Sequence, residues 1–181
     1  MSQSLTDLGP YTWFQGPAIV GMKADSMFDN VDTLACDANP IAFGVVVTST
    51  VAHSKRIRAG GAVANVRGIA IHDHLVGSRG AYHQFDAVST LTRGRVWARV
   101  KDDAAADAID DGAAVSYDAT TGEVSSTGTA LPNAVFRSKA VAIANAAEVM
   151  FLTGGTVKAA VVELHHPFPG AAGGGGNGGG E

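Results

Sequence analysis

Glycine spacing restricts the fold of this chain more than any other feature of its sequence. The chain has 23 glycines among 181 residues. Outside the C-terminal tail they fall at fairly regular intervals between short runs rich in Val, Ile, Thr and Ala. β-branched residues favour extended strands, and glycine favours the turns that join them. This pattern predicts an all-β fold, either a compact barrel or a sandwich.

Eight runs have the length and composition of strands. The predicted strands are 41–48, 62–71, 87–92, 95–100, 113–117, 123–126, 134–137 and 159–164. Within 113–124, two extended runs flank Asp118-Ala119-Thr120-Thr121-Gly122, where Asp118 can start an Asx turn and Gly122 can adopt a positive φ. This segment therefore predicts a β-hairpin.

Helical signals are weak in this chain. Residues 102–111 predict a short turn or helix, and residues 142–152 are compatible with either a helix or a strand. The sequence therefore predicts three parts: an extended N-terminal arm at 1–40, a β-barrel-like body at 41–169 and a tail at 170–181. The tail has eight glycines in twelve residues and is predicted to be disordered.

Charge and cysteine content exclude several classes of partner. The net charge is −4, and the longest basic run is Lys55-Arg56-Ile57-Arg58, so we expect no nucleic-acid binding. No secretory signal and no apolar stretch of roughly 18 residues is present, so we expect neither export nor a membrane partner. The single cysteine, Cys36, fits a reducing compartment.

His72-Asp73-His74 is the strongest candidate for metal or proton chemistry. In a strand the two histidines share one face and supply only two ligands, and no further ligand motif accompanies them. His53, His83, His165 and His166 can join them only through the fold. A metal-binding domain or metal-dependent enzyme built on His72, Asp73 and His74 therefore stays as an alternative.

Other candidates for chemistry are weaker still. Five aspartates (Asp102, Asp103, Asp107, Asp110 and Asp111) lack the spacing of a calcium loop and are predicted to form a solvated loop. Cys36 has no cationic neighbour in sequence, which indicates an inert thiol. With no nucleophile elbow and no phosphate-binding loop, the expected chain has no catalytic residue, no cofactor and no metal.

Aromatic and arginine residues are the best candidates for binding a partner protein. In 95–100, Val96, Ala98 and Val100 alternate with Arg95, Trp97 and Arg99, so one side of the strand can face a core and the other an interface. Trp, Tyr and Arg contribute most to binding at interfaces. The predicted contacts are Tyr11, Trp13, Phe14, Trp97 and Arg99, although Phe14 and Trp97 can equally fill a core.

Seven stretches from Ile41 onward carry a resemblance to a known family through their order and spacing. They are IAFGVVV at 41–47, VRGIAIH at 66–72, YHQFDAVSTLTRGRVW at 82–97, GAAVSYD at 112–118, TGEV at 121–124, LPNAVFR at 131–137 and AVVEL at 160–164. Together they resemble the phage structural cement proteins, a family of head decoration proteins. The apolar segment 141–155, the glycine-rich tail and the aromatic N-terminal region depart from the simplest family pattern.

The resemblance implies a β-barrel-like body that binds the outer surface of an assembled phage head, between major capsid protein subunits, and stabilises the shell. It implies no catalysis and no cofactor, with assembly in the bacterial host cytoplasm. Self-association as a dimer or trimer is the general expectation for such a protein. A tail or spike component of the virion remains a further alternative.

Overall fold

The computed structural model describes residues 19–25, 28–50, 55–73, 75–76, 80–144 and 156–168. Two short 3₁₀ turns, Val63–Asn65 and Ala104–Ala108, are the helical elements of these residues. The strands are β1 (Asn30–Cys36), β2 (Ile41–Ala42), β3 (Val46–Ser49), β4 (Arg56–Ala59), β5 (Val66–Ala70), β6 (Ala81–Tyr82), β7 (Ala87–Arg99), β8 (Ala114–Tyr117), β9 (Val124–Ser125), β10 (Thr129–Phe136), β11 (Val141–Ala144) and β12 (Thr156–His165). The predicted all-β class is confirmed.

Five strands close into a barrel in the order β1, β4, β3, β5 and β7. Closure comes from β1, which pairs in parallel with β4 and antiparallel with β7, where Leu34 lies opposite Val88. Because every strand then has two neighbours, the barrel leaves no open sheet edge along this path. Of the two architectures predicted, the structure is the barrel.

β7 extends beyond the barrel and organises the remaining strands. Its 13 residues pair first with β1 and then, from Arg93 to Arg99, with β12. From β12 the sheet continues through β10 and β8 to β9, and Val124 of β9 forms a parallel bridge with Val100, the residue that follows β7. The same strand therefore belongs to the barrel and to a second group of strands.

Two core clusters draw on adjacent residues of the same strands. Val47 and Ala70 belong to one cluster, while their neighbours Val46 and Ile69 belong to the other. Strands covered on both faces need apolar side chains at consecutive positions. This explains the uninterrupted apolar runs Val45-Val46-Val47 and Ala159-Ala160-Val161-Val162, of which every residue is at most 9% exposed.

Several predicted boundaries are wrong for identifiable reasons. The predicted strand 41–48 is two strands, because Gly44 has a φ of +77° and turns the chain between β2 and β3. The predicted strands 87–92 and 95–100 are one, because Gly94 stays in the ladder opposite Leu164. Residues 62–65 of the predicted strand 62–71 precede β5, and three of them form a 3₁₀ turn.

Four strands of the described residues have no counterpart among the eight predicted ones: β1, β4, β6 and β11. β1 lies within the segment 1–40 that was predicted to be an arm, and its first four residues are exposed, so its sequence lacks a buried stripe. In the segment 142–152, predicted as either helix or strand, residues 142–144 belong to strand β11, and residues 145–152 lie outside the described residues. The predicted short turn within 102–111 is confirmed as the 3₁₀ turn Ala104–Ala108.

Candidate functional site

The predicted contact residues fall into two groups. Tyr11, Trp13 and Phe14 lie outside the described residues. Trp97 and Arg99 lie on β7, where the predicted alternation is confirmed: Val96, Ala98 and Val100 are at most 2% exposed, and the residues between them are half-buried. Trp97 packs against the core cluster that contains Val47 and Ala70, and its backbone N–H donates to the Met22 carbonyl. Arg99, unlike Trp97, lines a concave part of the surface.

Arg99 lines a surface groove with a volume of about 580 Å³, which we call the arginine groove. Its wall includes Asn39, Pro40, Arg58, Arg99, Thr120 and Glu123. Arg99 and Glu123 also line a neighbouring cavity of about 300 Å³. Two arginines thus share the arginine groove with a single carboxylate, Glu123, so the groove is cationic on a chain whose net charge is −4.

The β8–β9 hairpin builds one wall of the arginine groove, and its prediction from sequence is confirmed. The Asp118 carboxylate accepts hydrogen bonds from the backbone of Thr120 and Thr121, at 2.7 and 3.3 Å. Gly122 has a φ of +77°. The turn contains the Asx start and the left-handed glycine that its sequence indicates.

Backbone hydrogen bonds attach this hairpin to the barrel. Gly61 donates to Ala119 at 2.7 Å, and Val46 donates to Gly122 at 2.7 Å. A side chain at Gly122 would place its Cβ 2.5 Å from the Val46 carbonyl oxygen, so only glycine allows this approach. The wall of the arginine groove is therefore held rigidly against β3.

An ion pair holds the other end of the hairpin loop. The Lys101 ammonium lies 2.8 Å from the Asp118 carboxylate. This hydrogen bond, together with the Thr120 N–H, lowers the pKa of Asp118 to about 2, and the same contact raises the pKa of Lys101. Asp118 is therefore ionised throughout the neutral range, and the loop keeps its anchor.

Arg58 and Glu123 were missed as site residues by the sequence analysis. The signal for Arg58 was present in the alternation Arg56-Ile57-Arg58, because a strand places alternate residues on opposite faces. In the structure Ile57 is fully buried between the two arginines. The basic run was considered only as a nucleic-acid signal. Glu123 had no comparable signal, since it reaches the groove only through the folded hairpin.

The histidine motif has structural partners where it is described. The His72 ring lies 4.9 Å from the Phe43 ring, and the Asp73 carboxylate accepts from the Leu75 N–H at 2.8 Å. His74 and His53 lie outside the described residues. Elsewhere, the His165 ring forms a hydrogen bond with Glu163, the His166 ring stacks on Phe168, and the His83 backbone N–H donates to the Asp86 carboxylate. Within the described ranges, no three His, Cys, Asp or Glu residues form a group that could hold a metal ion.

The five aspartates of residues 102–111 form the solvated loop that was predicted. Asp103 accepts from the Ala105 N–H and begins the 3₁₀ turn. The other four side chains are between 65% and 87% exposed. Their partners differ: Lys158 for Asp102 and Asp107, Lys139 for Asp110 and Arg137 for Asp111.

Cys36 has the environment of an unreactive thiol. It is fully buried, and burial, with Asp86 nearby, raises its pKa to about 11. The thiol is therefore protonated at neutral pH, as the sequence predicted. In the part of the chain that the structure describes, no helix has the length and apolar character needed to cross a membrane.

The protein is thus a β-barrel domain with a cationic concave surface, the arginine groove. The model of the phage family described as structural cement protein (E217 gp24/Pam3 gp6) matches residues 10–172. Because this match covers most of the sequence, the chain belongs to the phage structural cement protein family. Its role is that of a structural cement component of the virion capsid, associated with capsid proteins.

One solved structure with the same fold is a chain of "The capsid of Myoviridae Phage XM1". The TM-score is 0.58 at 17% sequence identity, over 86% of this chain and 94% of that chain. At this identity the likeness concerns the fold alone. No curated protein matches the chain.

Proposed function

We propose that this chain binds the outer surface of an assembled phage head, at junctions between major capsid protein subunits, and stabilises the shell there. The observation that carries the proposal is the family match over residues 10–172. In this proposal the protein acts by contact, with no catalytic step, no cofactor and no metal. It assembles onto heads in the bacterial host cytoplasm, a reducing compartment that suits the unpaired Cys36.

Arg99, with Trp97 beside it on β7, is the proposed contact within the described residues. The arginine groove joins Arg99 to Arg58 in a concave wall, and planar guanidinium groups bind carboxylates in two parallel hydrogen bonds. Arginines in recessed positions contribute strongly to interfaces because their contacts exclude water. The proposed partner surface therefore presents Asp or Glu side chains to the arginine groove.

Symmetry strengthens such contacts without making each one strong. Several copies that bridge neighbouring subunits raise the effective concentration of each next contact. Self-association into a closed dimer or trimer adds to this effect. We propose that Tyr11, Trp13 and Phe14 of the N-terminal arm extend the contact to the capsid or to a neighbouring copy. The barrel body predicted at 41–169, which β1 (Asn30–Cys36) completes, supports this contact.

The test is binding to purified heads that lack this protein. Arg99→Glu should lower the affinity of the protein for these heads, measured by cosedimentation, at least about tenfold, because a carboxylate replaces a guanidinium inside the contact. Deleting residues 1–18, which leaves the described residues intact, should lower it further. Electron microscopy of decorated heads should show density between subunits on the outer surface.

Lys139→Glu is the matched control, since it makes the same charge change at a side chain that is 75% exposed and outside the arginine groove. It should bind as the wild type does. Equal losses in both variants would mean that net charge, and not the groove, governs attachment. Wild-type protein that does not bind heads at any salt concentration would disprove the proposed function.

A further inference from the structure

Phe85 combines two features that seldom occur together. Its side chain is 66% exposed, and its backbone φ is +70°. In this left-handed region the Cβ of an L-residue approaches the carbonyl oxygen that follows, so glycine and asparagine are the residues usually found there. A phenylalanine at this position is strained, and burial does not explain it. Strain of this kind is often kept because the side chain has a function.

The turn that carries Phe85 fixes its orientation. The Asp86 N–H donates to His83 at 2.9 Å, which makes Phe85 the third residue of a four-residue turn, the position that takes positive φ in a type II turn. The Phe85 N–H donates to the Cys36 carbonyl at 3.0 Å, and the Cys36 N–H donates to Asp86 at 2.9 Å. The turn is therefore bound to the end of β1, and the ring projects from a rigid base.

One cationic side chain, that of Arg56, lies over the Phe85 ring. The Arg56 guanidinium carbon lies 5.5 Å from the ring centroid, and Arg56 also pairs with Asp37 at 3.7 Å. Arg58 lies on the same side of β4, about 7 Å further along the strand, because Ile57 between them is fully buried. Arg58 also lines the arginine groove together with Arg99, so the face of β4 that carries Arg56 and Arg58 connects the Phe85 turn with the groove.

We propose that Phe85 is an aromatic knob that inserts into an apolar pocket of a capsid protein, with Arg56 and Arg58 facing carboxylates at the rim of that pocket. This inference rests on the proposed function and specifies the partner's chemistry. Aromatic and arginine side chains together are the combination enriched at energetically important contacts. A pre-positioned ring loses little conformational freedom on binding, which favours insertion.

Charge argues against a second copy as the occupant. A two-fold contact at this face brings two copies of the same patch together, so it gathers Arg56 and Arg58 of both copies, while Asp37 is already paired with Arg56 of its own chain. Like charges brought together across an interface weaken it. A capsid surface that carries carboxylates is the complementary partner.

Phe85→Gly is the decisive variant, because glycine suits a φ of +70° and removes the ring without disturbing the turn. Its thermal stability should equal or exceed that of the wild type. Its affinity for heads that lack this protein should fall at least about tenfold. Arg56→Ala and Arg58→Ala should lower the affinity less and should reduce its dependence on salt.

Two controls separate the ring from the strain. Asn133→Gly relieves a second left-handed residue, with a φ of +51°, and should leave head binding unchanged. Phe28→Ala removes a ring that is 92% exposed elsewhere on the surface, and should also bind normally. Equal losses for Phe28→Ala and Phe85→Gly would overturn the inference, because binding would then follow exposed apolar area alone.

The remaining outcomes distinguish this inference from the proposed function. If wild-type protein binds heads and Phe85→Gly binds equally well, the inference that Phe85 inserts into a capsid pocket is wrong and the proposed function stands. If Phe85→Gly instead converts a self-associated form to monomer in sedimentation, the occupant is a second copy. If wild-type protein does not bind heads, the proposed function fails first.

Discussion

At the scale of single residues, the Glu163 carboxylate is held by three side chains that carry N–H donors. Its carboxylate accepts from Arg137 at 2.6 Å, Arg95 at 2.9 Å and the His165 ring at 2.7 Å, and its side chain is 12% exposed. These bonds, that from Arg137 foremost, lower the pKa of Glu163 to about 2. One carboxylate thus links β7, β12 and the residue that follows β10.

Glu163→Gln should remove a pH-dependent part of the stability. In the wild type the carboxylate stabilises the fold fully above its ordinary pKa of 4.5, and this contribution is lost as the pH falls towards about 2. The variant should be less stable at pH 7 by about 1–3 kcal/mol, and the difference should shrink as the pH falls from 4.5 to about 2. Urea unfolding at pH 7 and at the acidic end of this range measures both.

Asp107→Asn is the control for that experiment. Asp107 is 87% exposed and lies 3.8 Å from Lys158, so its loss should change stability by less than about 0.5 kcal/mol. A stability difference for Glu163→Gln that persists undiminished at the acidic end would show that packing, and not charge, is responsible. None of the Glu163 contacts with arginine was predictable, because the arginines lie 26 and 68 residues away in sequence.

At the scale of elements, the β8–β9 hairpin shows how a local turn becomes part of a distant surface. Asp118 and Gly122 determine the turn through hydrogen bonds within a few residues, and these were readable from the sequence. The contact of Gly122 with Val46 could not be predicted from the sequence, because it depends on the position of β3. The turn was therefore predictable, and its role as a wall of the arginine groove was not.

Gly122→Ala should destabilise the protein by about 2–4 kcal/mol, from left-handed strain together with overpacking. Gly112→Ala is the matched control: its φ is +82°, and no atom lies within 4 Å of the added Cβ. It should cost only about 1 kcal/mol, the strain alone. Chemical unfolding of both variants gives the comparison, and equal costs would mean that the hairpin can move away from β3.

At the scale of the whole molecule, β7 is the strand on which the fold depends. It pairs with β1 and β5 in the barrel and with β12 outside it. The two core clusters also take adjacent residues from the same strands, as with Val46 and Val47 of β3. Neither group of strands can lose its structure without exposing a face of the other, which favours a single cooperative transition.

Unfolding should therefore follow one curve for different probes. In a Trp13→Phe variant, Trp97 is the only remaining tryptophan and reports on β7, while far-UV circular dichroism reports on all strands. The two midpoints in urea should coincide. Midpoints that differ beyond error would instead identify two units that unfold independently.

The sequence by itself determined the β class, the hairpin at 113–124, the alternation along 95–100 and the solvated aspartate loop. Each of these depends on neighbours a few residues apart, where alternation, turn chemistry and charge density act directly. Only the tertiary structure decided that the barrel closes through β1, that β7 is continuous, and that Arg58, Arg99 and Glu123 share a groove. Those features depend on pairing between strands far apart in the chain, and local preferences do not specify such pairings.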